Sequence, residues 1–97
     1  MNGCWWLYLI ECRGGSLYTG ITNDVPARYA AHCAGKGARY TRMYPPVLLL
    51  AAQPYPSRGE AARAEYAMKQ RSPAEKRAWA LMVGKEDEVE RFQHSDH

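Results

Sequence analysis

Five side chains of this 97-residue sequence have types and spacings that suit shared chemistry: Tyr8, Tyr18, Arg28, His32 and Glu65. Arg28 and His32 are four residues apart, which places both on one face of a helix. An arginine offers a planar fork to a phosphate group, and a histidine can donate or accept a proton near neutral pH. A phosphate site explains both residues at once, whereas the alternative is an ordinary solvated helix face.

Glu65 interrupts an apolar stripe. Ala61, Ala62 and Met68 define the apolar side of its predicted helix, and Glu65 falls within that side. A carboxylate in such a place must find a partner or a metal ion. The alternative is an i,i+4 ion pair with Lys69, which stabilises an exposed helix by only ~0.3–0.5 kcal/mol.

The elements that must position these residues begin with a hairpin. Trp5–Ile10 and Leu17–Thr22 are rich in aromatic and branched residues and flank the turn signal of residues 13–15. A two-residue turn would place Tyr8 and Tyr18 on opposite faces of the sheet. A three-residue loop pairs residue 8 with residue 20 and places both tyrosines diagonally on one face, ~7–8 Å apart. We expect the longer loop, with Gly14 or Gly15 at positive φ.

The remaining pattern predicts one strand and three helices. Val47–Ala52 is apolar throughout, so we expect a third strand that is covered on both faces and closed off by Pro54 and Pro56. The helices are expected over residues 24–34, capped by Asn23 or Asp24 and ended at Gly35, and over 58–70 and 73–83, each opened by an S-x-x-E capping box. The order β-β-α-β-α-α predicts a small α+β fold.

Composition narrows the class of protein. The three cysteines, Cys4, Cys12 and Cys33, fit neither a disulfide framework nor a zinc pair, so we expect them to be reduced and buried. No membrane span or signal peptide is recognisable, which favours a soluble cytoplasmic protein.

We expect one domain over residues 1–84, with the last helix ended by Gly84. A polar tail follows over 85–97, in which only Val89 and Phe92 hint at docking.

Charge is distributed unevenly along the chain. Residues 1–71 hold nine Lys and Arg against four Asp and Glu, whereas residues 72–97 hold four against six. Residues 35–46 show no clean helical or strand period, so we expect a loop there. Four of its side chains mix cations with an aromatic ring: Lys36, Arg39, Tyr40 and Arg42.

Two tyrosine motifs stand in a fixed order with the other candidate residues. Trp6-Leu7-Tyr8 lies ten residues before Tyr18-Thr19-Gly20, and Arg28, His32 and Glu65 follow in order. In this ordered set the sequence resembles the GIY-YIG nuclease superfamily. The resemblance covers residues ~4–80, and within the superfamily it is greatest to the small single-domain bacterial proteins of the UPF0213 type. It implies a three-stranded antiparallel sheet flanked by helices.

The resemblance also implies roles for the matching residues. Tyr18 would be the general base on the attacking water, with Tyr8 assisting, and Arg28 would hold the scissile phosphate. His32 would support proton transfer or the phosphate, and Glu65 would bind one Mg²⁺ or Mn²⁺ ion. Two departures, Trp6-Leu7 in place of Gly-Ile and Ile21 where some relatives carry lysine, leave open which tyrosine is the base.

The predicted function is therefore a metal-dependent endonuclease acting on DNA. The mixed cations and aromatics of residues 36–44 suit stacking on unpaired bases, which favours single-stranded or branched DNA over duplex and leaves RNA open. A non-catalytic nucleic-acid-binding module on the same scaffold is the main alternative. A structural adaptor would leave Glu65 and the basic segment unexplained, and no obligate protein partner is inferred.

Overall fold

A three-stranded antiparallel sheet with helices packed on it is seen in the computed structural model, which describes residues 4–83. The strands are β1 (Trp5–Cys12), β2 (Leu17–Thr22) and β3 (Pro46–Tyr55), in the spatial order β2-β1-β3. The helices are α1 (Val25–Cys33), α2 (Arg39–Met43), α3 (Arg58–Lys69) and α4 (Pro73–Val83). The α+β class is confirmed, and no helix within residues 4–83 is long and apolar enough to cross a membrane.

The hairpin has the predicted three-residue loop. Ile10 pairs with Tyr18 and Tyr8 pairs with Gly20, so both tyrosines leave the sheet on the same face. Gly14 and Gly15 have φ values of 83° and 87°, a region that residues with a side chain rarely adopt. The loop length therefore sets the register that brings the tyrosines together.

Local capping signals begin and end the helices as expected. The Asp24 carboxylate accepts a hydrogen bond from the Ala27 amide at 3.1 Å, and Gly35 follows α1 with a φ of 78°. Ser72 opens α4 with a complete capping box: its hydroxyl accepts from the Glu75 amide at 3.2 Å, while the Glu75 carboxylate accepts from the Ser72 amide at 2.9 Å. The Asp24 cap and Gly35 set where α1, which carries Arg28 and His32, begins and ends.

The central strand β1 supplies core residues to both faces of the sheet. Its alternate side chains Tyr8, Ile10 and Cys12 pack in one cluster, which also contains Val25 of α1. Leu9 belongs to a second cluster, together with residues of β3 and α4. Tyr8 is thus anchored in the core on the face that α1 covers.

The structure corrects two expectations about β3. The strand is not covered on both faces, because Val47 and Leu48 are 61% and 39% exposed. It also does not stop before Pro54 but continues to Tyr55. Both differences follow from the position of β3 at the sheet edge, where it pairs only with β1 and where a proline leaves no unmet ladder hydrogen bond.

The structure also differs from expectation at residues 35–46 and at the cysteines. Residues 35–46 are not all loop, because Arg39–Met43 form the short helix α2, which has no side-chain cap and is too short to show a period. The cysteines are free, but only Cys12 is buried, since Cys4 and Cys33 are exposed. Gly84 and the tail 85–97 with Val89 and Phe92 lie outside the described residues.

Candidate active site

Three rings from three different elements form the centre of the site. The ring centroids of Tyr8 and Tyr18 are 6.3 Å apart, and the His32 ring lies 5.8 Å from Tyr8 and 5.1 Å from Tyr18. Tyr8 and His32 are buried, with exposures of 2% and 1%, whereas Tyr18 is only partly buried. The two tyrosines and the histidine of α1 lie together, so His32 does not lie on a solvated helix face.

Gly20 makes room for the Tyr8 ring. A Cβ atom at Gly20 would lie 2.5 Å from the Tyr8 hydroxyl oxygen and 2.6 Å from the ring carbon that bears it. It would also lie 3.2 Å from the Tyr18 ring. The Tyr8 side chain therefore crosses the backbone of its cross-strand partner, and only glycine allows that approach. The pairing of residue 8 with residue 20, which the loop length predicts, is the signal that could have assigned this role.

His32 is held by hydrogen bonds at both ring nitrogens. Its Nε2 lies 2.9 Å from the Tyr8 hydroxyl oxygen, and its Nδ1 lies 2.7 Å from the Thr41 hydroxyl oxygen. The Thr41 hydroxyl in turn donates to the Ala38 carbonyl at 3.0 Å. Sequence reasoning missed Thr41, since it lies on α2, which carried no helix signal.

Burial sets the protonation states of His32 and Tyr8. Burial, together with the positive charge of Arg28, lowers the pKa of His32 to about 4. Burial raises the pKa of Tyr8 to about 12, with Tyr18 and Glu65 adding to the increase and Arg28 opposing it through its charge and a hydrogen bond. At neutral pH the site therefore contains a neutral imidazole and a protonated Tyr8.

Arg28 and Glu65 lie within electrostatic range of this cluster. Arg28 is half-buried and acts on both Tyr8 and His32. The Glu65 side chain is 23% exposed, its carboxylate lies 3.2 Å from the Lys69 ammonium, and its charge acts on Tyr8. The ion pair that the sequence offered as an alternative is thus formed, yet the charge of the carboxylate also reaches Tyr8.

Glu65 is the one carboxylate near this cluster that could hold a divalent cation among residues 4–83, and such an ion would depend on water and substrate for its other ligands. Within residues 4–83, no group of three or more His, Cys, Asp or Glu side chains could hold a metal ion. Mg²⁺ commonly keeps several waters and binds through one or two carboxylates plus phosphate oxygens. A single half-buried carboxylate, Glu65, is compatible with this mode of binding, in which the ion would take the place of the Lys69 ammonium.

A basic surface adjoins the rings. Lys36, Arg39 and Arg42 are exposed, and the sequence contains no Asp or Glu between Asp24 and Glu60. Tyr40 does not stand free among these cations, because its ring lies 5.8 Å from that of Tyr18. The Tyr40 ring also lies 5.1 Å from that of the exposed Tyr44, so a row of aromatic rings leads outward from the site.

Comparison with known proteins shows the family to which this chain belongs. Residues 4–78 match the family model described as the GIY-YIG catalytic domain. The chain therefore belongs to the GIY-YIG family, a family of endonucleases, and its fold implies interaction with nucleic acid.

Within that family the chain is similar to small proteins designated UPF0213. It is 56% identical over 80 residues to one from Xanthomonas campestris pv. campestris, covering 82% of this chain and 78% of that protein. It is 50% identical over 72 residues to one from Halobacterium salinarum, covering 74% and 94%. The solution NMR structure of the UPF0213 protein BH0048 from Bacillus halodurans matches with a TM-score of 0.54 and 42% identity over 84% of this chain and 86% of that one.

Proposed function

We propose that this protein is a metal-dependent nuclease that hydrolyses phosphodiester bonds in DNA with a water activated by Tyr18. The observation that carries the proposal is the buried, neutral His32, hydrogen-bonded to Tyr8 next to Tyr18 and Arg28. Placing polar groups in a core requires that their hydrogen bonds be met, and an apolar core would fold this sheet as well. A cluster of this composition is typical of a reaction site.

The two tyrosines differ in their fitness as a base. Tyr8 is buried, keeps its proton because its pKa is raised to about 12, and is engaged with His32. Tyr18 lies next to the same cluster but is partly exposed, so water and a phosphate can reach it. We therefore assign the role of base to Tyr18 and a supporting role to Tyr8.

The reaction follows from these positions. The Tyr18 oxygen takes a proton from a water molecule, whose oxygen bonds to phosphorus as one P–O ester bond breaks. The leaving oxygen receives a proton from solvent, to which Tyr18 afterwards returns the proton that it took. Arg28 pairs with the non-bridging phosphate oxygens, whose negative charge grows in the transition state. A Mg²⁺ or Mn²⁺ ion bound at Glu65 would supply further positive charge to the phosphate.

The substrate class is proposed from the basic surface. Lys36, Arg39 and Arg42 supply phosphate contacts, and Tyr40, packed on Tyr18, continues the aromatic row towards them. Cations beside aromatic rings suit a strand with unpaired bases, so we propose single-stranded or branched DNA as the substrate.

Cleavage and binding measured on the same variants test the proposal. Tyr18→Phe and Glu65→Gln are each expected to lower cleavage of single-stranded, duplex and flap DNA at least 100-fold with Mg²⁺ or Mn²⁺ while DNA affinity stays within about twofold. Arg28→Ala should weaken both, because it holds the phosphate before and during the reaction. Tyr66→Phe and Glu60→Gln, exposed residues of α3, are the matched controls and should leave both unchanged.

One result would replace the proposal with another. Wild-type protein that binds DNA but cuts no substrate with any divalent cation would leave a nucleic-acid-binding module on a nuclease scaffold.

A further inference from the structure

Thr41 and Gly37 surround the side of His32 that faces away from Tyr8. Thr41 is 1% exposed and lies on α2, where its hydroxyl contacts both His32 Nδ1 and the Ala38 carbonyl. A Cβ atom at Gly37 would overlap Nδ1 and lie 2.8 Å from two ring carbons of His32. Gly37 has no positive φ, so this position favours glycine for the close approach of the ring.

The Ala38 carbonyl fixes the direction of the hydrogen bonds that link Thr41, His32 and Tyr8. The Ala38 carbonyl can only accept, so the single proton of the Thr41 hydroxyl points to it. The Thr41 oxygen must then accept from His32, which places a proton on Nδ1. Because a buried neutral imidazole carries only one proton, Nε2 is bare and accepts from the Tyr8 hydroxyl.

This chain of bonds leaves the Tyr8 oxygen with only lone pairs to offer on its other side. Arg28 is a pure donor, and its positive charge acts on Tyr8 from nearby. Tyr8, His32 and Thr41 are thus hydrogen-bonded in one direction, and the chain of bonds ends at the Ala38 carbonyl. Reversing the tautomer of His32 would put a ring proton towards Tyr8 and deprive the phenolic proton of its acceptor at Nε2.

We propose that Thr41 is a positioning residue, which fixes His32 as the Nδ1–H tautomer and thereby orients Tyr8 and Arg28, with Gly37 giving the ring its place. The inference rests on the proposed nuclease reaction for its effect on rate, but the tautomer itself does not. Thr41 is buried away from solvent, so we expect it to act on kcat through other residues and not by touching substrate.

The primary test is the tautomer of His32, measured by ¹⁵N NMR of the imidazole in wild type, Thr41→Val and Thr41→Ser. Thr41→Val preserves shape and removes the hydroxyl, which is both the acceptor for His32 and the donor to Ala38. We therefore expect wild type and Thr41→Ser to show the Nδ1–H form and Thr41→Val to lose it. Thr19→Val is the matched control, since the Thr19 hydroxyl is buried without a hydrogen-bond partner within residues 4–83. A wild-type Nε2–H tautomer, or an unchanged tautomer in Thr41→Val, overturns the proposal.

Steady-state kinetics provide a second test of the role of Thr41. Thr41→Val is expected to lower kcat about tenfold or more with KM unchanged, and Thr41→Ser to restore most of it. Gly37→Ala, which leaves the hydroxyl in place but displaces the ring, should also lower kcat. Failure of serine to restore kcat would show that the hydroxyl is not the acting group. An inactive wild type with the Nδ1–H tautomer would refute the nuclease proposal alone.

Discussion

The protonation of His32 predicts how the stability of the fold depends on pH. In the unfolded chain a histidine has a pKa of ~6.5, whereas in the folded protein burial lowers the pKa of His32 to about 4. Between these values the unfolded chain binds more protons, so the free energy of unfolding falls as pH falls. The contribution is complete above pH ~6.5 and is lost as the pH approaches 4.

The magnitude follows from the two pKa values. Proton linkage gives a loss of roughly 1 kcal/mol at pH 5.5 and roughly 2–3 kcal/mol at pH 4.5. His32→Gln removes the titrating group but keeps polar atoms that can reach Tyr8 and Thr41. The difference in unfolding free energy between wild type and His32→Gln should therefore shift by roughly 2–3 kcal/mol, against wild type, from pH 7.5 to pH 4.5.

Urea unfolding of both proteins across this range is the measurement. Carboxylates titrate in both proteins, so their contributions cancel in the difference, as do those of His94 and His97. Parallel pH curves for the two proteins, or an NMR titration of His32 with a midpoint near 6.5, would refute the reasoning that burial keeps this imidazole neutral.

Three further outcomes are expected. Gly20→Ala should lower the free energy of unfolding by about 1–3 kcal/mol in urea titration, because the new Cβ would collide with the Tyr8 phenol; an unchanged value would contradict that close approach. Gly59→Ala should raise it by about 0.5–1 kcal/mol, since a Cβ there meets nothing closer than 3.9 Å in α3. Lys36→Ala and Arg39→Ala should each lower the slope of log affinity against log salt by about one in DNA titrations, and an unchanged slope would remove that cation from the interface.

Much of the site could be predicted from the sequence because local rules place it. The three-residue loop sets the register that puts Tyr8 and Tyr18 on one face, and the four-residue spacing puts Arg28 and His32 on one side of α1. The caps at Asp24 and Gly35 bound that helix. Each of these rules acts over a few neighbouring residues, so the sequence alone carries it.

The protonation and support of that site depend on contacts between distant elements. Tyr8 and His32 are 24 residues apart, and His32 meets Thr41 only because α2, a helix of five residues without a cap, lies against α1. The edge position of β3 is likewise a matter of strand order, which an apolar run does not reveal. Periodicity and capping determined which residues share an element and a face, whereas burial, hydrogen-bond direction and the close approach at Gly37 exist only once the elements have packed together.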